Sequence, residues 1–334
     1  MLARREKYAF PGALPEVFGS TLEDDLRRRD FTANSLAASL NCESFGILAE
    51  CGGYDDLLAG TLRVWHSRSF VDDPTRIFRA VKYMSRCSWK MAEDTQTALD
   101  AAVASGALHT VSGVRIGREL KLILREKAAA ACLEELQRCG VLAALDLPIQ
   151  DVSEMRERLR RAGEYAAAMG SIRLREAERA QLYLNVLLSG CAEKTALQLL
   201  EKWSFSSPEK EAYRRSRQTA ALGVMLTDGR LSLAERAYEL RNKDLVCLAA
   251  LACCRRDAQI SEVMSAYLAK WHNMLPLADG RALKALGITP GPRYQQLLRK
   301  LWIAQAEGRI RTAAEARGYL SDLAGTEICS LGKH

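Results

Sequence analysis

The sequence predicts a mainly α protein, in which a small mixed head of strands and turns precedes a long series of helices. Two short apolar runs, FGILAE at 45–50 and TLRVWH at 61–66, are bounded by Gly and Asp and predict strands. After Pro74 the chain is rich in Leu, Ala, Glu, Arg and Lys, with apolar residues three and four apart, which predicts helices. Breaks in this helical pattern fall near 148–153, 204–208, 227–232 and 287–292.

The head contains two further predicted elements and leads into a helix. DFTANSLAASL at 30–40 has helical apolar spacing, so Arg28, Arg29 and Asp30 would open a helix there, with Asp30 capping its first turn. CGGYDDLLAG at 51–60 predicts a turn-rich connector between the strands. DDP at 72–74 predicts a helix start, because acidic residues favour the N-terminal dipole and Pro is tolerated in the first turn.

A row of charged residues follows this helix start, at every third position: Asp73, Arg76, Arg79 and Lys82. Such a row forms one slowly spiralling stripe on a helix. A solvated face with an Asp–Arg pair would explain the pattern. A more specific interpretation is base recognition, because a carboxylate accepts from an exocyclic amine and an arginine donates to a ring nitrogen or carbonyl. The later cations would then lie along a triphosphate.

Composition narrows the class of protein. The chain has 334 residues, which suits two or three domains, and 48% of them are hydrophobic, which is enough to bury a core. Its net charge of +7 is compatible with a polyanionic partner. The ten cysteines show no C-x-x-C pair and no zinc spacing, which is typical of reduced core residues in a cytosolic protein. We expect a cytoplasmic protein with no membrane partner, because no apolar run reaches membrane-spanning length.

Two motif blocks carry a resemblance to a known family. RRDFTAN at 28–34 and DDPTRIFRA at 72–80 resemble the motifs of bacterial CCA-adding tRNA nucleotidyltransferases and their poly(A) polymerase relatives, the class II branch of the polymerase-β-like superfamily. VSGVRIGRELKLIL at 111–124 is similar to the family's helical neck, and residues 277–310 to its tail.

The resemblance implies a domain organisation in four parts. A remnant of the α/β nucleotidyltransferase head is expected to precede an all-helical neck, body and tail. The neck would recognise the nucleotide base, and the tail would bind tRNA. The implied ranges, in that order, are 1–70, 71–125, 126–205 and 206–334.

The resemblance also implies a nucleotide-binding site for CTP or ATP. Its implied residues are Arg29, Asp30, Asn34, Asp73, Arg76, Arg79 and Lys82. The first three correspond to the block that contacts the sugar and phosphates. Asp73 and Arg76 correspond to the pair that reads the base edge, and Arg79 to an arginine on the triphosphate. Lys82 stands where the family usually has arginine, and lysine keeps the charge but loses the bidentate fork.

One family feature is missing from this sequence. The family binds two Mg²⁺ ions through an Asp-x-Asp pair that follows a Gly-Gly phosphate loop. No Asp-x-Asp occurs here, GGYDDLLAG falls after the arginine block, and AECGG at 49–53 lacks the family's Asp-Pro. We therefore expect no catalytic residue and no metal ligand in this chain. The expected explanations are a truncated head, a separate head fragment, a mis-set start or a non-catalytic paralogue.

The expected function is tRNA 3′-end processing, with transfer from CTP or ATP to the tRNA 3′-hydroxyl and contacts to the acceptor stem and elbow. This chain alone is expected to be inactive. The alternatives are a non-catalytic RNA-binding module, a poly(A) polymerase-type relative, and a helical scaffold for protein partners, which the motif blocks disfavour. The base-reading pair does not distinguish addition of CCA, CC, A or a poly(A) tail.

Overall fold

The prediction of a mainly α fold is confirmed. The chain forms two compact units, residues 1–217 and 218–334. The predicted boundaries at 70, 125 and 205 stay predictions. The computed structural model describes residues 3–40, 47–49, 52–149, 151–168 and 174–331.

The strands described all lie in the first unit and form three two-stranded sheets. They are β1 Arg4–Lys7, β2 Glu16–Gly19, β3 Leu36–Ala38, β4 Ile47–Ala49, β5 Thr61–Leu62 and β6 Lys90–Met91. β1 pairs antiparallel with β2, and β3 with β4, whereas β5 and β6 are parallel. Two-stranded ribbons are marginally stable by themselves, so these sheets depend on the helices that pack on them.

The helices of the first unit surround the two motif blocks. They are α1 Leu22–Arg27, α2 Gly53–Ala59, α3 Ser69–Asp72, α4 Thr75–Cys87, α5 Glu93–Ala104, α6 Gly113–Arg125, α7 Ala129–Arg138, α8 Val141–Ala144, α9 Val152–Ala168, α10 Glu176–Leu187, α11 Glu193–Lys202 and α12 Ser207–Thr219, whose last two residues belong to the second unit. The predicted helix start at 72–74 is confirmed, because α4 begins directly after Pro74.

The helix α6 sits at the centre of the first unit and packs against α4, α7, α10 and α11. Two glycines allow the closest approach. A Cβ at Gly113 would lie 2.0 Å from the carbonyl oxygen of Lys202, and one at Gly117 would lie 1.8 Å from that of Trp203. Residue 115 lies between these glycines and therefore faces away from that contact, toward the N-terminal residues of the chain.

The second unit is a set of shorter helices around its own apolar core. Its helices are α13 Gly223–Leu226, α14 Leu233–Tyr238, α15 Leu245–Cys254, α16 Ala258–Ala266, α17 Gly280–Ala285, α18 Pro292–Ala306 and α19 Ala313–Leu331. Leu283, Leu297 and Leu301 belong to one core cluster that joins α17 to α18. The predicted breaks near 227–232 and 287–292 coincide with helix ends in this unit.

The predicted helix at 30–40 is wrong. Residues Thr32–Asn34 form a 3₁₀ turn, and β3 follows it. The Thr32 amide donates to the Arg63 carbonyl at 2.9 Å, and β3 pairs with β4, so tertiary partners replace helical hydrogen bonds. Arg28 therefore follows the last residue of α1, at the helix end whose dipole favours cations.

The predicted turn-rich connector at 51–60 is also wrong, because residues 53–59 form α2. Gly52 and Gly60 flank the helix with φ angles of +75° and +62°, a left-handed conformation that glycine adopts without strain. A Cβ at Gly53 would lie 2.5 Å from the Thr32 carbonyl oxygen, so α2 packs directly on the 3₁₀ turn.

Most of the cysteines whose burial the structure describes have the predicted core role, whereas Cys87 is exposed. Five of them are buried: Cys132, Cys139, Cys191, Cys247 and Cys253. Cys42 and Cys51 lie outside the described residues. Within the described part of the chain, no helix combines the length and apolar character that crossing a membrane requires.

Candidate nucleotide-binding site

An open cleft of about 550 Å³ lies in the first unit and is lined by both motif blocks. Four arginines and three carboxylates line it, which leaves a surplus of one positive charge. Such a surplus favours an anionic ligand. The lining residues are Glu6, Tyr8, Pro15, Arg28, Arg29, Asp30, Asn34, Asp73, Arg76, Arg79 and Tyr83. Six of the seven predicted residues therefore share one cavity, and Lys82 is not among them.

Asp30 joins the two motif blocks. Its Oδ1 lies 3.2 Å from Arg76 Nε and accepts from Arg79 Nη2 at 3.0 Å. Its Oδ2 lies 2.8 Å from Arg79 Nε. The predicted capping role is thus replaced by ion pairs to α4, which hold the end of the first block against the second.

Asp73 is buried, with 6% of its surface exposed, and is held from three sides. Its Oδ1 accepts from the Thr75 hydroxyl at 2.7 Å and from Arg115 Nη2 at 2.9 Å, and its Oδ2 accepts from Arg79 Nη2 at 2.9 Å. Burial alone would raise the pKa of Asp73. The hydrogen bonds from Thr75 and the charges of Arg79 and Arg115 outweigh burial, so the pKa lies below its ordinary value.

Arg76 is only 4% exposed, and protein groups surround its guanidinium. Nη1 donates to the Ser69 hydroxyl at 2.5 Å, and Nη2 donates to the backbone carbonyl of Arg28 at 3.1 Å. The two predicted base-reading residues therefore have different partners, since Asp73 pairs with Arg79 and Arg115 while Arg76 pairs with Asp30.

Arg79 lies between the two acids of the cleft. Its Nη2 donates to both Asp30 Oδ1 and Asp73 Oδ2. Burial lowers the pKa of this guanidinium, but the negative charges of Asp30 and Asp73 outweigh that effect and raise it. Arg79 is therefore a cation shared by two carboxylates.

The three arginines at 27–29 have distinct surroundings. Arg28 is held by Glu6 and Asp25, each at 3.0 Å. Arg29 lines the cleft with a side chain 39% exposed, where its Nη1 donates to the Asn34 carbonyl at 3.1 Å. Arg27 is 51% exposed, is not among the lining residues, and pairs with Glu23 at 2.6 Å. Arg29 is thus the arginine of the three most open to a ligand in the cleft.

Arg115 contacts the site but was not predicted from the sequence. Its Nη1 donates to the Gly12 carbonyl at 2.7 Å, while Nη2 reaches Asp73. Gly12 has a φ of +73°, and a Cβ there would lie 2.3 Å from Thr110 Oγ1, so the loop approaches the start of α6 closely. Arg115 lies within the predicted neck block, but no local pattern indicates partners 42 and 103 residues away.

Tyr8 and Glu6 form a second part of the wall, outside the two motif blocks. The Tyr8 hydroxyl donates to Glu6 Oε2 at 3.1 Å, and Glu6 Oε1 accepts from Arg28. Burial, with the nearby negative charges of Glu6 and Asp73, raises the pKa of Tyr8 to about 12. Tyr8 therefore stays a neutral hydrogen-bond donor at ordinary pH.

Lys82 contacts α6 instead of the cleft. Its Nζ lies 3.3 Å from Glu119 Oε2, and both side chains are largely buried. This ion pair joins α4 to α6. A role for Lys82 on a triphosphate stays a prediction.

The acids of the cleft do not fit a Mg²⁺ site. Among the residues described, no group of three or more His, Cys, Asp or Glu side chains could hold a metal ion. Asp30 and Asp73 each pair with arginines, which compete with a cation for their oxygens. The cleft thus presents arginines and carboxylates that are paired with one another.

Comparison with known proteins places these residues in a family. The Poly A polymerase head domain family matches residues 3–63. An A-adding tRNA nucleotidyltransferase from Geobacter sulfurreducens is 31% identical over 321 residues, 92% of this chain and 36% of that protein. An A-adding enzyme from Halalkalibacterium halodurans is 29% identical over 320 residues, 94% of this chain and 71% of that protein. The chain belongs to the tRNA nucleotidyltransferase and poly(A) polymerase family.

Solved structures of this nucleotidyltransferase family agree with the fold. A CCA-adding enzyme in an apo form matches with a TM-score of 0.81 and 28% identity, covering 98% of this chain and 76% of that one. The Thermotoga maritima CCA-adding enzyme complexed with tRNA matches with a TM-score of 0.78 and 26% identity, covering 97% and 81%. A complex of CCA-adding enzyme with ATP matches with a TM-score of 0.74 and 28% identity, covering 91% of this chain and 74% of that one. A complex with CTP matches with a TM-score of 0.75 and 26% identity, covering 98% and 82%. The chain spans just over a third of the Geobacter relative.

Proposed function

We propose that this chain is the nucleotide-selecting and tRNA-holding part of a tRNA nucleotidyltransferase that adds A to tRNA ending in CC. The cleft carries this proposal, because it joins a cationic wall for phosphates to Asp73 and Arg76, which have the chemistry to read a base edge. The two relatives described above are A-adding enzymes, whereas the matched solved structures are CCA-adding enzymes, so the test compares CTP with ATP. For addition of A, ATP would be the preferred nucleotide, and CTP a weaker ligand.

Transfer itself would need a metal-binding carboxylate pair such as the family's Asp-x-Asp, which does not occur in this sequence. We therefore expect this chain to bind nucleotide and tRNA without extending the tRNA. A separate head fragment that supplies those carboxylates, and a cytoplasmic location, stay predictions from the sequence. A poly(A) polymerase-type activity is the second candidate, since the matched head domain family carries that name.

The test is equilibrium binding of ATP, CTP and GTP, and of tRNA ending in CC, to the purified chain. We expect ATP to bind more tightly than GTP, and Arg76→Ala to reduce that preference about tenfold or more, since a lost base contact costs about 1–3 kcal/mol. Arg86→Ala is the control, because Arg86 lies on the same helix but pairs with Glu126 outside the cleft.

Three outcomes would contradict parts of this proposal. Binding of tRNA without any binding of ATP would favour a non-catalytic RNA-binding module. An unchanged ATP preference in Arg76→Ala would remove the base-reading role. Incorporation of labelled ATP into tRNA by the purified chain with Mg²⁺ would show that this chain suffices for transfer. Affinity for tRNA should also fall steeply with salt, as phosphate contacts require.

A further inference from the structure

Arg79 occupies a position that connects the phosphate side of the cleft to its base-reading side. One nitrogen, Nη2, donates to Asp30 at 3.0 Å and to Asp73 at 2.9 Å, and Nε lies 2.8 Å from Asp30. Asp30 belongs to the block expected to face sugar and phosphates, and Asp73 to the block expected to face the base. The guanidinium of Arg79 thus contacts a carboxylate of each motif block.

Asp73 has few acceptor positions left in this arrangement. Oδ1 already accepts from the Thr75 amide, the Thr75 hydroxyl and Arg115. Oδ2 accepts from Arg79, and the residue is only 6% exposed. Three donors already contact Oδ1, so the oxygen left to accept from the exocyclic amine of a base is Oδ2, which Arg79 contacts.

A polyphosphate would compete with Asp30 and Asp73 for Arg79. An arginine binds phosphate oxygens bidentately, and a triphosphate carries more charge than either carboxylate. Thr75 and Arg115 hold Oδ1 independently of Arg79, so Asp73 keeps its orientation when Arg79 turns away. Loss of the Arg79 contact would therefore uncover Oδ2 without moving Asp73.

We infer that Arg79 is a positioning residue that couples the two halves of the nucleotide site, so that binding of the triphosphate uncovers Asp73 for the base. This inference rests on the proposed nucleotide-binding function of the cleft. Its consequence is that a nucleoside without phosphates finds Arg79 still bound to Asp73. A nucleoside triphosphate instead draws Arg79 to its phosphates, which leaves Asp73 Oδ2 open to the base. Base selection would then depend on an intact polyphosphate.

The experiment separates the two halves of ATP by using adenosine and inorganic tripolyphosphate as two ligands. Adenosine affinity is measured by NMR titration of the full chain, without and with saturating tripolyphosphate, and the reverse titration is made with adenosine saturating. We expect tripolyphosphate to tighten adenosine binding about fivefold or more, and adenosine to tighten tripolyphosphate binding by the same factor, because coupling between sites is reciprocal.

Variants of Arg79 distinguish coupling from a merely structural role. Arg79→Met should bind adenosine more tightly than the wild type does when no tripolyphosphate is present, and tripolyphosphate should no longer change that affinity. A structural role would instead weaken both ligands. Arg79→Lys preserves the charge but cannot contact both carboxylates through a fork, so it should fold and show reduced coupling. Arg86→Met, on the same helix outside the cleft, should keep the full coupling.

The outcomes separate this inference from the function on which it rests. If adenosine and tripolyphosphate bind independently or exclude each other in the wild type, the coupling is wrong and the nucleotide site stands. If Arg79→Lys and Arg86→Met show equal coupling, Arg79 is not the connecting residue. If neither adenosine nor tripolyphosphate nor ATP binds, the proposed function fails, and the inference fails with it.

Discussion

The arginines at 27–29 and the arginines of α4 that line the cleft are held in different ways. Arg27 and Arg29 pair with acids of α1 four residues earlier, and their side chains are 51% and 39% exposed. Arg76 and Arg79 pair with Asp30, more than 45 residues earlier in the chain. Exposed local ion pairs add little to stability, whereas breaking a buried pair is costly. Of the first group, Arg29 is therefore available to a ligand in the cleft, and the second group holds the two motif blocks together.

The largest expected effect concerns Asp30, the acid that pairs with both arginines of the second group. Asp30→Asn keeps the shape of the side chain but removes the charge that balances Arg76 and Arg79. We expect the free energy of unfolding to fall by about 2–3 kcal/mol, somewhat below the value for a fully buried pair, because Asp30 is 25% exposed. Urea denaturation measures this change. The control Glu23→Gln removes the exposed partner of Arg27 and should change the free energy of unfolding by no more than about 0.5 kcal/mol. Equal losses of stability in the two variants would show that the local and the distant ion pairs do not differ in their contribution.

A smaller effect separates the members of the first group. Arg29→Ala should weaken ATP binding about tenfold or more, because a hydrogen bond to a charged group contributes about 1.5–3 kcal/mol. Arg27→Ala should leave ATP binding unchanged, since Arg27 lies outside the cleft and pairs with Glu23. Isothermal titration calorimetry measures both, with the melting temperature as a check on folding. Equal losses, or none in Arg29→Ala, would show that the ligand does not lie against residue 29.

The smallest expected effect is a pH dependence of the free energy of unfolding, which arises from Asp73, a partner of Arg79. The pKa of Asp73 is lowered below its ordinary value near 3.8, so its ionised form stabilises the fold at pH values above that range. This contribution is lost as the pH falls through the lowered pKa of the folded protein. The difference in unfolding free energy between the wild type and Asp73→Asn should therefore be constant near neutral pH and shrink in acid. A difference that grows as the pH falls would contradict the assigned ion pairs with Arg79 and Arg115.

The sequence predicted the secondary structure around Arg76 and Arg79 better than that of residues 30–40. The helix start at 72–74 and the three-residue stripe depend on local rules, and α4 follows them. The apolar spacing at 30–40 also has a local helical pattern. There the pairing of Leu36–Ala38 with Ile47–Ala49 and the bond from Thr32 to Arg63 overrode it. Local pattern therefore failed where the chain pairs with distant segments.

The site shows the same limit. Six of the predicted residues meet in the cleft because the two motif blocks themselves meet there. Lys82 continues the stripe in sequence, but its partner Glu119 draws it to α6. Arg115 had no sequence signal as a partner of Asp73, since its orientation depends on the glycines that fix α6 against the end of α11. Spacing along one helix predicts a face, and it does not predict which neighbour that face contacts.

The separations of these contacts along the chain also set the order in which the cleft can form during synthesis. Arg76 bonds to a carbonyl 48 residues earlier, Arg79 to an acid 49 residues earlier, and Arg115 to a carbonyl 103 residues earlier. Contacts between distant residues form late, because closing a long loop costs entropy first. On a translating ribosome the three arginines at 27–29 emerge well before α4 and α6 exist. The contacts that hold Asp73 and Gly12 are therefore completed only after residue 115 has been made.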